Sequence, residues 1–212
     1  MFFDCKIMKR LLLFILFFLP AAAFAQMPAE KMIQTISQAG AQMQTLECDF
    51  VQVKHMSMLS EDMVSYGKMY YSQPDKLRWE YTRPYEYTFI LSGNQVLLNN
   101  SNRTDVIDVD KNKMFKEITR LMSSCIVGKC LSDEKDFKTT IQDEGKEWVA
   151  TLIPLKRDLR QMWTRLVIRF DVQNKAVTTV KMYETSGDCT EIELKNIRQN
   201  HPVKDSVFKL DR

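Results

Sequence analysis

Histidine is nearly absent from these 212 residues: only His55 and His201 occur, far apart and with no motif around either. Each reads as a surface or loop residue, so a general base or metal centre built on histidine has no support. No Gly-x-Ser-x-Gly elbow, His-Glu-x-x-His pair, phosphate loop or Gly-x-Gly-x-x-Gly turn is present, which removes the common hydrolase, zinc-peptidase and nucleotide-site signatures. Asp108, Asp110 and Asn112 open like a calcium loop. However, Lys113 stands where that loop needs glycine, and Thr119 where it needs glutamate. No metal or cofactor is expected, and the chain does not read as an enzyme. Glycine is sparse at six residues with no linker-like tract, so no domain boundary shows.

Long apolar runs are also missing after the N-terminus. Lys6, Lys9 and Arg10 precede an apolar stretch over residues 11–19 that is too short to span a bilayer, and Ala23-Phe24-Ala25 follows as a cleavage site. Residues 1–25 therefore read as an export signal, with Met1 and Met8 both standing as candidate initiators. A single domain over residues 26–212, released to a bacterial periplasm, is the expectation. Those residues hold 27 basic against 26 acidic side chains, which gives no electrostatic case for nucleic acid. Four cysteines remain: Cys48, Cys125, Cys130 and Cys189. An oxidising compartment permits disulfides; Cys125 with Cys130 could close a small loop, and Cys48 with Cys189 could join across a sheet. The run Asp133-Glu134-Lys135-Asp136 reads as a solvated charge run.

What is abundant is alternation. From Gly67 to Gly93 the chain reads as short strands cut by Pro74 and Pro84. Leu77, Trp79 and Tyr81 fall on one face of the middle strand, opposite Lys76, Arg78, Glu80 and Thr82. Tyr85, Tyr87, Phe89 and Leu91 repeat the pattern in the next, and Cys48, Phe50 and Gln52 share a face of an earlier strand. Period-2 patterning of this kind marks antiparallel sheet with one dry face. A face so rich in large rings either covers a core or holds an apolar ligand. Helical spacing over residues 29–43 and 112–127, with further strands up to residue 197, places the chain in the α+β class: one large antiparallel sheet with a few helices on it. Thirteen methionines, among them Met56, Met58, Met63 and Met69, suit either core packing or the wall of an adaptable cavity.

Phe50-Val51-Gln52, Gly67-Lys68-Met69-Tyr70-Tyr71, the run from Gln73-Pro74 to Trp79-Glu80-Tyr81, Pro84 and Leu91-Ser92-Gly93 form an ordered series. It resembles the periplasmic outer-membrane lipoprotein carrier family, LolA, most densely between residues 50 and 93. The resemblance implies an incomplete β-barrel with helices as a lid over an apolar cavity. It implies a monomer that takes a lipoprotein from an inner-membrane ABC lipoprotein-releasing transporter, shields its acyl chains, and passes it to an outer-membrane acceptor. A periplasmic lipid- or lipoprotein-binding sensor or scaffold of the same fold is the alternative. On this chain Leu77 and Trp79 fall where the family has large apolar cavity residues. Tyr81 continues their face, and Phe50, Tyr87, Phe89 and Leu91 complete the expected acyl-chain site. The family often has arginine before the proline matching Pro74, bonded to the lid. Here that residue is Gln73, which can still donate and accept but lacks the fixed guanidinium fork.

Overall fold

In the computed structural model, which describes residues 27–100 and 102–209, the alternation becomes eleven antiparallel strands in a single open sheet. The expected export signal lies outside the described residues. Helix α1 (Ala29–Gln42) leads into β1 (Thr45–His55), β2 (Met63–Ser72), β3 (Lys76–Arg83), β4 (Tyr87–Ser92), β5 (Gln95–Asn100) and β6 (Arg103–Asp108). Helix α2 (Lys113–Ile126) then precedes β7 (Phe137–Asp143), β8 (Glu147–Pro154), the short α3 (Arg157–Met162), β9 (Trp163–Asp171), β10 (Val177–Glu184) and β11 (Cys189–Gln199). The spatial order is β6-β5-β4-β3-β2-β1-β11-β10-β9-β8-β7. Two hairpin meanders are thus joined through β1 and β11, and β6 and β7 remain as edges. No described helix is long and apolar enough to cross a membrane.

Each helix follows from its residues. Met32 and Ile36, four apart, face the sheet from α1 and are buried, each burial stabilising by about 1.5–3 kcal/mol. The calcium-like triplet is spent on local caps. Asp108 accepts from the Asp110 N–H at 3.0 Å, and Asn112 caps α2 by accepting from the Phe115 N–H at 3.2 Å. Among the described residues no cluster of three or more His, Cys, Asp or Glu could hold a metal ion.

Because β6 and β7 are opposite edges, α2 carries the chain from one side of the sheet to the other. It meets α1 at Gly40, where an added Cβ would sit 2.0 Å from the Val127 carbonyl oxygen. That glycine, unfavourable inside a helix, is the condition for the two helices to touch backbone to backbone. Below the helices lie two apolar clusters on the same sheet face. One joins α1 to β7–β10 around Trp148, Ile168 and Phe170. The other spans β1–β5 around Phe50, Met69, Leu77 and Leu91, with Val127, Phe115, Met122 and Ile126 contributed from the α2 side.

The charge run after α2 departs from the expectation. Asp136 is 6% exposed rather than solvated, because Arg120 of α2 bonds its carboxylate and a buried charge is retained only when paired. Arg120 also reaches Glu117 at 3.1 Å and Asp133 at 3.3 Å, while Lys156 meets Glu117 at 2.7 Å. These pairs tie α2 to the segments flanking β7 and α3. The Lys156 ammonium and then the Arg120 guanidinium hold the Glu117 carboxyl below its ordinary range. A depressed carboxyl contributes stability that is present above its unfolded value, about 4.3, and lost as pH falls through the folded value. Hydrogen-exchange protection of α2 is therefore expected to fall as the solution is acidified below about pH 5, and Glu117→Gln should flatten that step. Protection with the same acid profile in both proteins would rule out Glu117 as its origin.

Candidate functional site

The register of β1 to β6 arranges the concave side chains in three rows. The innermost is Leu46, Tyr71, Leu77, Leu91, Val96 and Ile107; the next is Cys48, Met69, Trp79, Phe89, Leu98 and Asp105; the third is Phe50, Gly67, Tyr81, Tyr87, Asn100 and Arg103. Burial decreases from row to row and toward β6. Leu77 is 0% exposed and Leu91 and Val96 are buried beside it, whereas Trp79, Phe89, Tyr81 and Tyr87 are only half-buried, and Asn100 and Arg103 are exposed. The sheet is dry at one end and opens at the corner formed by β3 to β6.

Aromatic packing builds the transition between the two. The Phe50 ring lies over Gly67, whose missing Cβ would stand 2.4 Å from the ring and 2.0 Å from the Glu80 carbonyl. Its centroid is 4.5 Å from Trp79 in a tilted stack and 5.2 Å from Tyr81 edge-on; Tyr81 and Tyr87 follow at 6.2 Å. The Tyr81 hydroxyl donates to Gln52 Oε1 at 2.9 Å. Burial raises both the Tyr81 and Tyr87 hydroxyls above the ordinary tyrosine range, so both stay protonated at neutral pH.

All seven residues expected to line an apolar site lie on this face, though not as one surface. Phe50, Leu77 and Leu91 are packed core, while Trp79, Tyr81, Tyr87 and Phe89 stand at the open end. Tyr85 leaves the pattern, lying in the β3–β4 loop at 54% exposure. Met58 and Met63 are likewise exposed at the β1–β2 hairpin, and of the four methionines singled out only Met69 reaches the cluster. Its methionines are Met43, Met69, Met122 and Met182, which the positions of early strands alone would not identify. Gln52 and the α2 residues Phe115 and Met122 also join the site. Gln52 carries the alternation signal of Phe50, and helical spacing puts Phe115 with Met122.

Gln73 faces α1. Its Nε2 donates to the Gly40 carbonyl at 3.0 Å, and its backbone N–H donates to the Gln44 carbonyl at 2.9 Å. The Gly40 carbonyl, which the Met43 N–H also reaches at 3.3 Å, takes this amide as a second donor. The contact thus falls at the same glycine that seats α1 on the end of α2.

The cysteines are free thiols in this structure. Cys48 and Cys189 cannot meet: Cys48 lies opposite Met69, and Cys189 opposite His55 at the far end of β1. Burial first, then Asp49 and Glu47, push the Cys48 thiol up to about 12, which makes it unreactive. Cys125 and Cys130 are neighbours, and hydrogen bonding to the Cys125 thiol together with burial raises the Cys130 thiol well above its usual value. No bond joins the two.

An open sheet with an aromatic corner, with α2 packed on its apolar cluster and tied by ion pairs and α1 held by one amide, defines a cupped binding protein. It offers apolar surface and a few neutral hydroxyls and amides. The family model for the outer membrane lipoprotein carrier protein LolA matches residues 41–211, and the chain belongs to that family. The outer-membrane lipoprotein carrier protein of Methylococcus capsulatus is 24% identical over 165 residues, 78% of this chain and 76% of that protein. The protein of the same description from Pseudomonas putida is 22% identical over 191 residues, 90% and 87% of the two chains. Among solved structures, a chain of the Pseudomonas aeruginosa MucA/MucB complex aligns with a TM-score of 0.53 at 8% identity, over 85% of this chain and 60% of that one. That is a likeness of fold.

Proposed function

We propose that this protein is a periplasmic lipoprotein carrier, exported with a cleaved signal over residues 1–25. It takes acylated lipoproteins from an inner-membrane ABC lipoprotein-releasing transporter and delivers them to an outer-membrane acceptor. The observation that carries this reading is the gradient on the concave face, from the dry Leu77–Leu91–Val96 row to the half-open Trp79–Phe89–Tyr81–Tyr87 corner. Each methylene moved out of water is worth about 0.8 kcal/mol, so an acyl chain crosses an aqueous compartment only inside such a face. Apolar packing without directional bonds also lets the chains go again. Met43, Met69, Met122 and Met182 suit a wall whose contents change, since thioether chains repack easily. Gln73, bonded to Gly40, is proposed to help keep α1 seated while α2 opens over the chains. Family membership supports the same reading.

Native mass spectrometry of the protein drawn from its own periplasm should find it monomeric and carrying an acylated lipoprotein. Depletion should leave outer-membrane lipoproteins behind at the inner membrane. Absence of acylated cargo would overturn the proposal. Acylated cargo together with normal lipoprotein localisation on depletion would instead support a sensor or scaffold.

A further inference from the structure

The open corner is not uniformly apolar. At the level of Phe50 the concave positions turn to Tyr81 and Tyr87, and one step further along β1 and β2 to Gln52 and Ser65, which face each other. Four neutral polar groups converge there. The Tyr81 hydroxyl uses its proton on Gln52 Oε1 and keeps its lone pairs. The Gln52 Nε2 has no bond to any described residue, and the buried Trp79 Nε1–H is set against the Tyr81 hydroxyl oxygen. The Tyr87 hydroxyl stands beside Tyr81 with its own proton available. Donors that the protein leaves unpaired favour a ligand that brings acceptors.

Resting on the carrier reading, we propose that Gln52, Trp79, Tyr81 and Tyr87 form a head-group subsite for the ester-linked diacylglyceryl group of a lipoprotein, fixing its orientation in the cup. The chemistry fits in three respects. Ester carbonyls are acceptors only, and the spare groups of Gln52 and Tyr87 are donors, while Trp79 holds the Tyr81 hydroxyl in place. The charge that acts on the subsite is the anionic Asp105 beside Tyr87, so a neutral glyceryl diester is tolerated there, whereas a phosphate would be repelled. The two ester carbonyls are separated from the chain ends by the acyl chains themselves. With the carbonyls at the Gln52 amide and the Tyr87 hydroxyl, the chains run along the strands toward Trp79 and Phe89 and then toward Leu77 and Leu91, the direction in which the face becomes drier. The ligand peptide is left at the exposed end, beside Asn100 and Arg103.

The test compares two synthetic lipopeptides with the same peptide and chain lengths, one a dipalmitoyl diester and the other its dialkyl diether, which has no carbonyl acceptors. The parent protein should bind the diester about tenfold more tightly, the scale of one or two neutral hydrogen bonds. The double variant Tyr81→Phe with Gln52→Leu should lose that preference and bind the diether as the parent does; its thermal midpoint is measured alongside to show that it is folded. Equal binding of both lipopeptides by the parent, or an unchanged preference in a folded variant, overturns the head-group assignment while the carrier reading stands. Failure of either lipopeptide to bind overturns the carrier reading, and the subsite with it. Diester phospholipid vesicles of the same chain length, added in excess, separate the sources of the head group. Persistent lipopeptide binding supports the lipoprotein assignment, and its displacement overturns it.

Discussion

Leu77→Asp is expected to unfold the protein, whereas Trp79→Asp two residues away leaves it folded and removes acyl-chain binding. Both side chains share one face of β3, yet they face different surroundings. Leu77 is 0% exposed between Tyr71 of β2 and Leu91 of β4. A carboxylate there loses the packing of a leucine, worth about 2–5 kcal/mol, and is itself buried with no partner within its row. The sum falls at or beyond the roughly 4–5 kcal/mol that marks an exceptional single substitution, a large part of the 5–15 kcal/mol that usually holds a domain together. Trp79 is half-buried at the edge of the open corner, so a carboxylate in its place can reach water. Removing the ring takes away the stack on Phe50 and puts a charge where the proposed carrier would pass its chains. Urea melts and titration with a labelled triacylated lipopeptide distinguish the two. A folded Leu77→Asp variant with weakened binding would mean that the inner row lines the site directly; a Trp79→Asp variant that binds like the parent would remove that residue from it.

Gly40→Ala should lower stability by about 2 kcal/mol, against the sign that helix propensity alone dictates. Alanine in a helix interior is favoured over glycine by about 1 kcal/mol. At this position its Cβ would lie 2.0 Å from the Val127 carbonyl oxygen and 2.7 Å from the carbonyl carbon. Both are backbone atoms that no rotamer change can move aside, and overpacking of this kind costs about 1–3 kcal/mol or more. Relief requires α1 to lift from the end of α2, which also pulls the Gly40 carbonyl from the Gln73 amide. The variant should therefore show a lower thermal midpoint and faster proteolysis at the α1–α2 contact, while Gln73→Ala, which loses only the hydrogen bond, should cost about 1 kcal/mol. A rise in the midpoint of Gly40→Ala would show that the helices part without penalty.

The contrast between Leu77 and Trp79 shows how far local pattern reaches. Alternation alone places Leu77, Trp79 and Tyr81 together and sets Lys76, Arg78 and Glu80 apart, because side chains in a strand change face at every residue. It cannot rank them by depth, since depth depends on what α2 and the neighbouring strands lay over each row. The same holds for Tyr85, which keeps the parity of Tyr87 but follows Pro84 in a loop. Asp136 reads as a solvated charge until Arg120, sixteen residues earlier, is folded onto it. Gln73 meets a helix carbonyl thirty-three residues away, and Gly40 is explained only by the Val127 carbonyl packed against it. Pro74, the aromatic strands and the capping Asn112 carry their structure in local chemistry, as turn, sheet and helix start.

The class of fold, the strand faces, the helix ends and the apolar character of the site follow from the order of residues, because each rests on interactions between near neighbours. The opening between β3 and β6, the division of the aromatic face into dry core and polar corner, and the seating of α1 against α2 were decided only in three dimensions. Each of these arises from pairing and packing between segments far apart in the chain, where burial belongs to the assembled surface and not to any one residue.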